Sequence, residues 1–337
     1  MITSAIAEAA EGRDLPPAMA EQVMEAIFRG EATPAQIAGL LIALRVKGET
    51  APELAAAARV MRRHALVVKV TARPPILDTC GTGGDGSGSF NISTVSAIVV
   101  AAAGVTVAKH GNRAATSKAG SADVLEALGV DLAMSSDQIG RCIDEVGIGF
   151  LFARAHHPAM KHAAPVRAEL GVRTMFNLLG PLTNPAGATH QLLGVGDPGK
   201  LEVMAEALSM LGSSGAWIVH GHGGLDEVAL SGPTEVAALD GKGGVRRFRL
   251  QPEDLGLPRA DASALRGGDV AENAAIARAI LAGDRGPRRD AVLANAAAAL
   301  CAANVVEGPR EGVARAAVAI DSGAAQAKLA AFIAFGK

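Results

Sequence analysis

The stretch Asp78-Thr79-Cys80-Gly81-Thr82-Gly83-Gly84-Asp85-Gly86-Ser87-Gly88-Ser89-Phe90-Asn91-Ile92-Ser93-Thr94 decides how the rest of the chain is read. The apolar pair Ile76-Leu77 leads into it as a strand, five glycines alternate with hydroxyls, and Val95 to Ala103 continues as a helix closed by Gly104. Glycines let backbone N–H groups crowd an anion, and a helix N-terminus adds about half a positive charge. Ser87, Ser89, Ser93 and Thr94 offer further donors. The pattern is that of a phosphate cradle.

Two familiar cradles do not fit it. Gly81, Gly83 and Gly86 satisfy G-x-G-x-x-G, but that fingerprint needs an acid about 20 residues on. No Asp or Glu stands between Asp85 and Asp123, and Gly86, Gly88 and Asn91 keep breaking the helix it requires. A P-loop would need a Gly-Lys-Ser/Thr ending, which is missing here.

What the loop has instead is a companion. After a strand-like Val105 to Ala108 comes Lys109-His110-Gly111-Asn112-Arg113-Ala114-Ala115-Thr116-Ser117-Lys118-Ala119-Gly120-Ser121, with three permanent cations. A lone basic run is usually a solvated loop. Two hydroxyl- and glycine-rich loops at successive strand ends point to a ligand with several phosphates, since open α/β sheets bind at that edge. A third strand end leads into His220-Gly221-His222-Gly223-Gly224-Leu225-Asp226-Glu227. Adjacent carboxylates beside a polyphosphate cradle suit Mg²⁺, which takes one or two carboxylates plus phosphate oxygens. The nearby histidines raise zinc, but oxygen ligands favour a hard ion. In Phe152 to His162, cations alternate with apolar groups, and Arg167 and Arg173 follow. A metal site on His156 and His162 is the weaker reading of that run, and for Arg167 the plain alternative is a surface ion pair with Glu169.

Gly81 to Asp85, Asn91 to Thr94, Lys109 to Arg113, Ser121 to Glu126 and Met175 to Pro185 resemble, in order, the signature segments of the anthranilate phosphoribosyltransferases. The resemblance runs from about residue 15 to the C-terminus. It implies transfer of a phosphoribosyl group from phosphoribosyl diphosphate to anthranilate in tryptophan biosynthesis. It places Gly81, Gly84, Asp85, Ser89, Asn91, Ile92, Ser93, Thr94, Lys109, His110, Gly111, Asn112, Arg113, Ala114, Ala115, Thr116, Ser117 and Ser121 around the sugar diphosphate. Ser93, Asp226 and Glu227 fall on magnesium, expected as two ions, and Gly81, Asn112 and Arg167 fall around anthranilate. Lys109 and Arg113 are the expected catalytic cations, stabilising the departing pyrophosphate. Ser89 stands where threonine is usual and Ala119 where serine is common; neither removes an expected ligand. A pyrimidine nucleoside phosphorylase and a non-enzymatic nucleic-acid-binding relative are the alternatives.

Composition agrees with a globular enzyme. The chain has 337 residues, 49% hydrophobic and 20% charged, with a net charge of −2. That balance argues against bulk nucleic-acid binding, and 3% aromatic content with no tyrosine argues against base stacking. Cys80, Cys142 and Cys301 match no zinc pattern, and Cys80 reads as a small buried thiol. With no basic leader and no long apolar run, the expected location is cytoplasmic, with no membrane partner.

The expected fold class is α/β. Residues 1–67 read as a helical domain, with capping boxes at Thr33 to Gln36 and Thr50 to Glu53 and helix ends near Gly30, Gly48 and Val67. By resemblance it forms a homodimer interface and is joined by helices from about 165–187. Residues 74–337 read as a catalytic domain with a mostly parallel, mixed sheet flanked by helices. Its strands are Ile76 to Thr79, Val105 to Ala108, Ile148 to Phe152, Gln191 to Val195 and Ala216 to His220, then a hairpin of Thr234 to Leu239 and Val245 to Leu250. Ser121 and Asp197 are the expected helix caps, and the chain after Arg288 is helical.

Overall fold

The computed structural model describes residues 1–114, 118–240 and 243–337. Four helices open the chain: α1 (Ile2–Ala10), α2 (Pro17–Phe28), α3 (Pro34–Lys47) and α4 (Ala51–Arg63). The box at α3 is complete, with Thr33 Oγ1 accepting from Gln36 N at 3.3 Å and Gln36 Oε1 accepting from Thr33 N at 2.9 Å. At α4 only the return bond forms, from Thr50 N to Glu53 Oε2 at 2.9 Å. The Glu53 carboxylate is buried and also accepts from Leu15 N at 2.8 Å and Lys47 Nζ at 3.1 Å. α4 stops at Arg63, short of Val67. Beyond it Leu66 N donates to His156 O and Val68 N to Pro185 O, so contacts with later segments draw the chain out of the helix.

Strands and helices then alternate. In order come β1 (Ile76–Gly81), α5 (Ile92–Ala102), β2 (Thr106–Gly111), α6 (Ser121–Leu128), α7 (Ser136–Val146) and β3 (Ile148–Phe152). Three short helices follow: α8 (Ala153–His156), α9 (Ala164–Leu170) and α10 (Met175–Leu179). The sheet resumes with β4 (His190–Gly194), α11 (Leu201–Met210), β5 (Gly215–Gly221), β6 (Thr234–Leu239) and β7 (Val245–Leu250). Four helices close the chain: α12 (Val270–Leu281), α13 (Pro287–Ala302), α14 (Pro309–Asp321) and α15 (Ala324–Phe335). α5 starts at Ile92, before the Val95 of the sequence reading. Its entry is held from outside, since Asn91 Nδ2 donates to Ala119 O and Asn91 Oδ1 accepts from Asn273 Nδ2, both at 3.1 Å. Two caps also differ in detail: Gly120 precedes α6, and Asp197 caps the short turn Pro198–Lys200.

The strand order is β3-β2-β1-β4-β5-β6-β7, parallel from β3 through β5 and antiparallel for β6 and β7. From β1 the chain builds outward to β2 and β3, then returns to place β4 on the other side. The switch point therefore lies between β1 and β4, where a crevice opens at the strand ends. One face of the sheet is covered by α5 and α12 to α15, through Val95, Ile276, Leu293, Ile320 and Phe332. On the other face Met204 and Leu208 of α11 pack on Leu193 and Ile218. Leu54, Val60, Val166, Phe176 and Leu179 continue that same core into the helical layer. No single helix of the described residues is long and apolar enough to cross a membrane.

Removing the buried Glu53 carboxylate leaves Leu15 N, Thr50 N and the buried Lys47 ammonium short of an acceptor. We expect Glu53→Ala to lower urea stability by about 2–4 kcal/mol. Glu31→Ala, on an exposed side chain, should stay within about 0.5 kcal/mol.

Candidate active site

Gly81 and Gly194 end neighbouring strands and are paired in register. A Cβ on Gly194 would fall on the backbone carbonyl of Asp226, and one on Gly81 would crowd its carboxylate. Both positions need glycine so that the loop after β5 can fold back over the switch point. Gly83 N donates to Asp226 Oδ2 at 2.9 Å, and Ser93 N, in the first turn of α5, donates to Glu227 Oε1 at 3.0 Å. Asp226 N donates to Asp85 Oδ2 at 3.4 Å. The acidic pair is thus stitched to the glycine loop and is no solvated turn.

A cavity of about 250 Å³ opens there. It gathers Gly81, Gly84, Asp85, Ser89 and Asn91 to Thr94 from the first loop, Lys109 to Asn112 and Ser121 from the second, and Asp226 with Glu227. Thr94 Oγ1 faces this region buried and without a hydrogen-bond partner among the described residues. Arg113 and Ala114 are not brought into the lining. The Arg113 guanidinium turns outward to Asp123 and Glu126, each at 2.8 Å, and lies 5.7 Å from the Phe152 ring centre. Ala115, Thr116 and Ser117 lie outside the described residues.

Lys109 is buried rather than exposed in a basic loop. Its Nζ donates to the carbonyl and, at 3.4 Å, to the hydroxyl of Thr79. Burial pushes its ammonium below the ordinary lysine range, while Asp78, Cys80 and Glu227 pull it back. Asp78, wholly buried, accepts from His110 N at 2.9 Å and Asn184 Nδ2 at 2.8 Å. Desolvation and the Asp78 carboxylate raise the neighbouring Cys80 thiol well above the ordinary range, which makes it a poor nucleophile.

Of the aromatic-acid candidates, Gly81 and Asn112 line this cavity and Arg167 does not. Arg167 on α9 lies 5.4 Å from the Phe176 ring centre, and burial lowers its pKa from the ordinary arginine value. It makes no ion pair among the described residues, with Glu169 or any other acid. His110 Nδ1 lies 3.2 Å from Gly180 O, and the His110 and His157 rings are 5.2 Å apart. Both rings are buried, with His110 Nε2 and both His157 nitrogens unpartnered. Asp78, Gly194 and Asn184 carry structural weight that the motifs alone did not assign. The glycine at the end of a strand, followed by Val195-Gly196, was the available signal for Gly194.

The acids fit a divalent cation. Desolvation, then Asp226, pushes the Glu227 carboxyl up to about 8; desolvation, then Asp85, pushes Asp226 up to about 6. Neither carboxylate has a cationic side chain in ion-pair contact among the described residues. No group of three or more His, Cys, Asp or Glu among them could hold a metal by itself. Two acids and a hydroxyl suit Mg²⁺, which completes its shell with water and substrate phosphate.

A helical layer set against a sheet whose switch point carries such a cavity is the build of a glycosyl transferase. The helical bundle domain of the glycosyl transferase family matches residues 3–65, and its a/b domain matches residues 73–326. The anthranilate phosphoribosyltransferase of Symbiobacterium thermophilum is 58% identical over 319 residues, covering 95% of this chain and 93% of its own. The crystal structure of the Thermus thermophilus enzyme of that name superposes with a TM-score of 0.93 at 52% identity, covering 98% of both chains. The Saccharomyces cerevisiae enzyme in complex with PRPP and Mg superposes at 0.90 and 31%, covering 99% of this chain and 97% of its own. The chain belongs to the anthranilate phosphoribosyltransferase family.

The raised carboxyls set a pH signature. Between the ordinary carboxyl pKa values and those of the folded pair, the native state holds more protons than the unfolded one, so stability falls as pH rises. Ligand-free protein should lose thermal stability from about pH 4.5 to about 8 through these groups. Glu227→Gln should flatten that slope, and added Mg²⁺ should stabilise more at pH 8 than at pH 6. Differential scanning fluorimetry across pH decides it; a Glu227→Gln curve parallel to the parent would remove the shifted pair.

Proposed function

We propose that this chain transfers the phosphoribosyl group of PRPP (5-phosphoribosyl 1-diphosphate) to the amino nitrogen of anthranilate. The products are N-(5-phosphoribosyl)anthranilate and pyrophosphate, in tryptophan biosynthesis. The observation that carries the reading is one cavity holding two unpaired acids, an amide-rich loop and the first turn of α5. That combination supports a diphosphate bound together with a cation. Ser93, Asp226 and Glu227 would hold Mg²⁺, two ions on the resemblance. Bound there, Mg²⁺ would neutralise diphosphate oxygens as pyrophosphate departs.

The chain's own residues do the rest by placement. Gly84 and its loop neighbours offer N–H groups to phosphate, and Ser89, Thr94 and Ser121 offer hydroxyls. Asn91 ties the first loop to the second at Ala119. Lys109, beneath the cavity, holds positive charge near the leaving group. Arg113 can join it only by leaving Asp123 and Glu126, and on the resemblance Ala114, Ala115, Thr116 and Ser117 also serve the sugar diphosphate. The aniline nitrogen is neutral at pH 7, so attack at the sugar carbon needs no strong base. No covalent enzyme intermediate is required. A desolvated, acid-free guanidinium supports Arg167 as the clamp for the anthranilate carboxylate, with Gly81 and Asn112 nearby in role. The helical layer, with Val46 82% exposed, is the proposed homodimer face.

Loss of anthranilate fluorescence on adding PRPP and Mg²⁺ tests the reading directly; no loss with folded protein would sink it. Arg167→Ala should remove a charge-assisted pair of about 1.5–3 kcal/mol, or about 10- to 150-fold. The effect should fall on the KM for anthranilate, with that for PRPP nearly unchanged. Lysine should rescue only in part, because it keeps charge and loses the two-pronged geometry. If the PRPP KM alone rises, Arg167 belongs to the phosphate site instead.

A further inference from the structure

Arg173 touches the glycine loop through two of its carbonyls. It lies between α9 and α10, in the helical layer, and its Nη1 donates to Gly83 O at 2.5 Å and its Nη2 to Thr82 O at 3.0 Å. Its own carbonyl accepts from Arg45 Nη1 at the end of α3. Neither guanidinium meets a carboxylate in an ion pair among the described residues. Gly83 and Gly84 take φ of +64° and +72°, and a Cβ on Gly84 would run into Arg173 Nη1. The loop is shaped around this side chain.

Peptide planarity turns those two bonds into an orientation. In a trans peptide the C=O of one residue and the N–H of the next point in opposite directions. Holding Thr82 O on Arg173 therefore aims Gly83 N–H the other way, and there it donates to Asp226 at 2.9 Å. Holding Gly83 O on Arg173 likewise aims Gly84 N–H away from the helical layer, and Gly84 lines the cavity. We infer that Arg173 is a positioning residue: it pins two successive carbonyls so that the Gly83 and Gly84 N–H groups face Asp226 and the diphosphate. Arg45 holds the Arg173 backbone carbonyl while the Arg173 side chain holds the loop that donates to Asp226, so the helical layer is connected to that carboxylate. The inference rests on the PRPP reading above, and it places Arg173 behind the loop rather than on either substrate.

Arg173→Gln and Arg173→Lys test it, read first in ligand-free protein. Hydrogen exchange of the 82–86 amides should speed up by about 10-fold or more in Arg173→Gln, with α13 amides unchanged. Calorimetric binding of PRPP with Mg²⁺ should weaken by about 10- to 100-fold, as expected for two lost charge-assisted bonds. Lysine, which reaches one carbonyl, should fall between. The KM for anthranilate should stay within about 2-fold. Weakened PRPP binding with unchanged loop exchange would overturn the inference, because Arg173 would then touch the ligand itself. A rise confined to the anthranilate KM, or no change in any readout, would overturn it too. Wild-type protein that binds no PRPP would sink the function reading, while loop exchange in the variants would still judge the pinning.

Discussion

The site depends on Asp226 lying against the ends of β1 and β4. That approach is open only because Gly81 and Gly194 carry no side chain where the two strands end in register. It sets two carboxylates into a cleft where water solvates them poorly; beyond that desolvation, Asp85 raises the proton affinity of Asp226, and Asp226 that of Glu227. The arrangement costs stability when nothing cationic is bound. A fold that keeps such a pair at its switch point is prepared for a cation that arrives with phosphate oxygens.

Beneath that pair a second polar layer balances the charge. Asp78 is wholly buried on β1, and Lys109 on β2 is 3% exposed. Burial lowers the Lys109 ammonium, and Asp78 and Glu227 pull it part of the way back, so one buried cation answers both acids. Asp78 in turn holds the His110 amide and the Asn184 side chain.

Much of this was legible in the sequence, for a local reason. Glycine, hydroxyl and acid motifs at strand ends name their chemistry without tertiary information, so the two loops and Asp226-Glu227 could be read directly. The strands from β1 to β6 were found as short, mostly apolar runs bounded by turn residues, and β7, with three arginines, as the second arm of a hairpin around a glycine-rich turn. What could not be read depends on partners distant along the chain. Lys109 looks like part of a basic loop until β1 supplies Thr79 as its acceptor. Arg113 looks free until α6 brings Asp123 and Glu126 beside it. Arg173 looks like one more arginine until its reach to Thr82 and Gly83, about ninety residues upstream, is known.

One stretch, from Arg173 to Asn184, ties the strand ends to the helical layer. Arg173 grips the β1 loop, Gly180 O meets His110 of β2, Pro181 O accepts from Gln191 of β4 at 2.8 Å, and Asn184 donates to Asp78 and to Ala108 O. Its apolar members Met175, Phe176 and Leu179 belong to the helical core, and Phe176 carries the Arg167 guanidinium on its ring. The segment is therefore anchored to three strands by polar groups and to the helical layer by apolar ones. If the sugar diphosphate binds at the strand ends and the aromatic acid near Arg167, as proposed, this segment joins the two sites. With no side chain called on for covalent chemistry in that proposal, holding the two ligands in place would be a large part of the catalytic work.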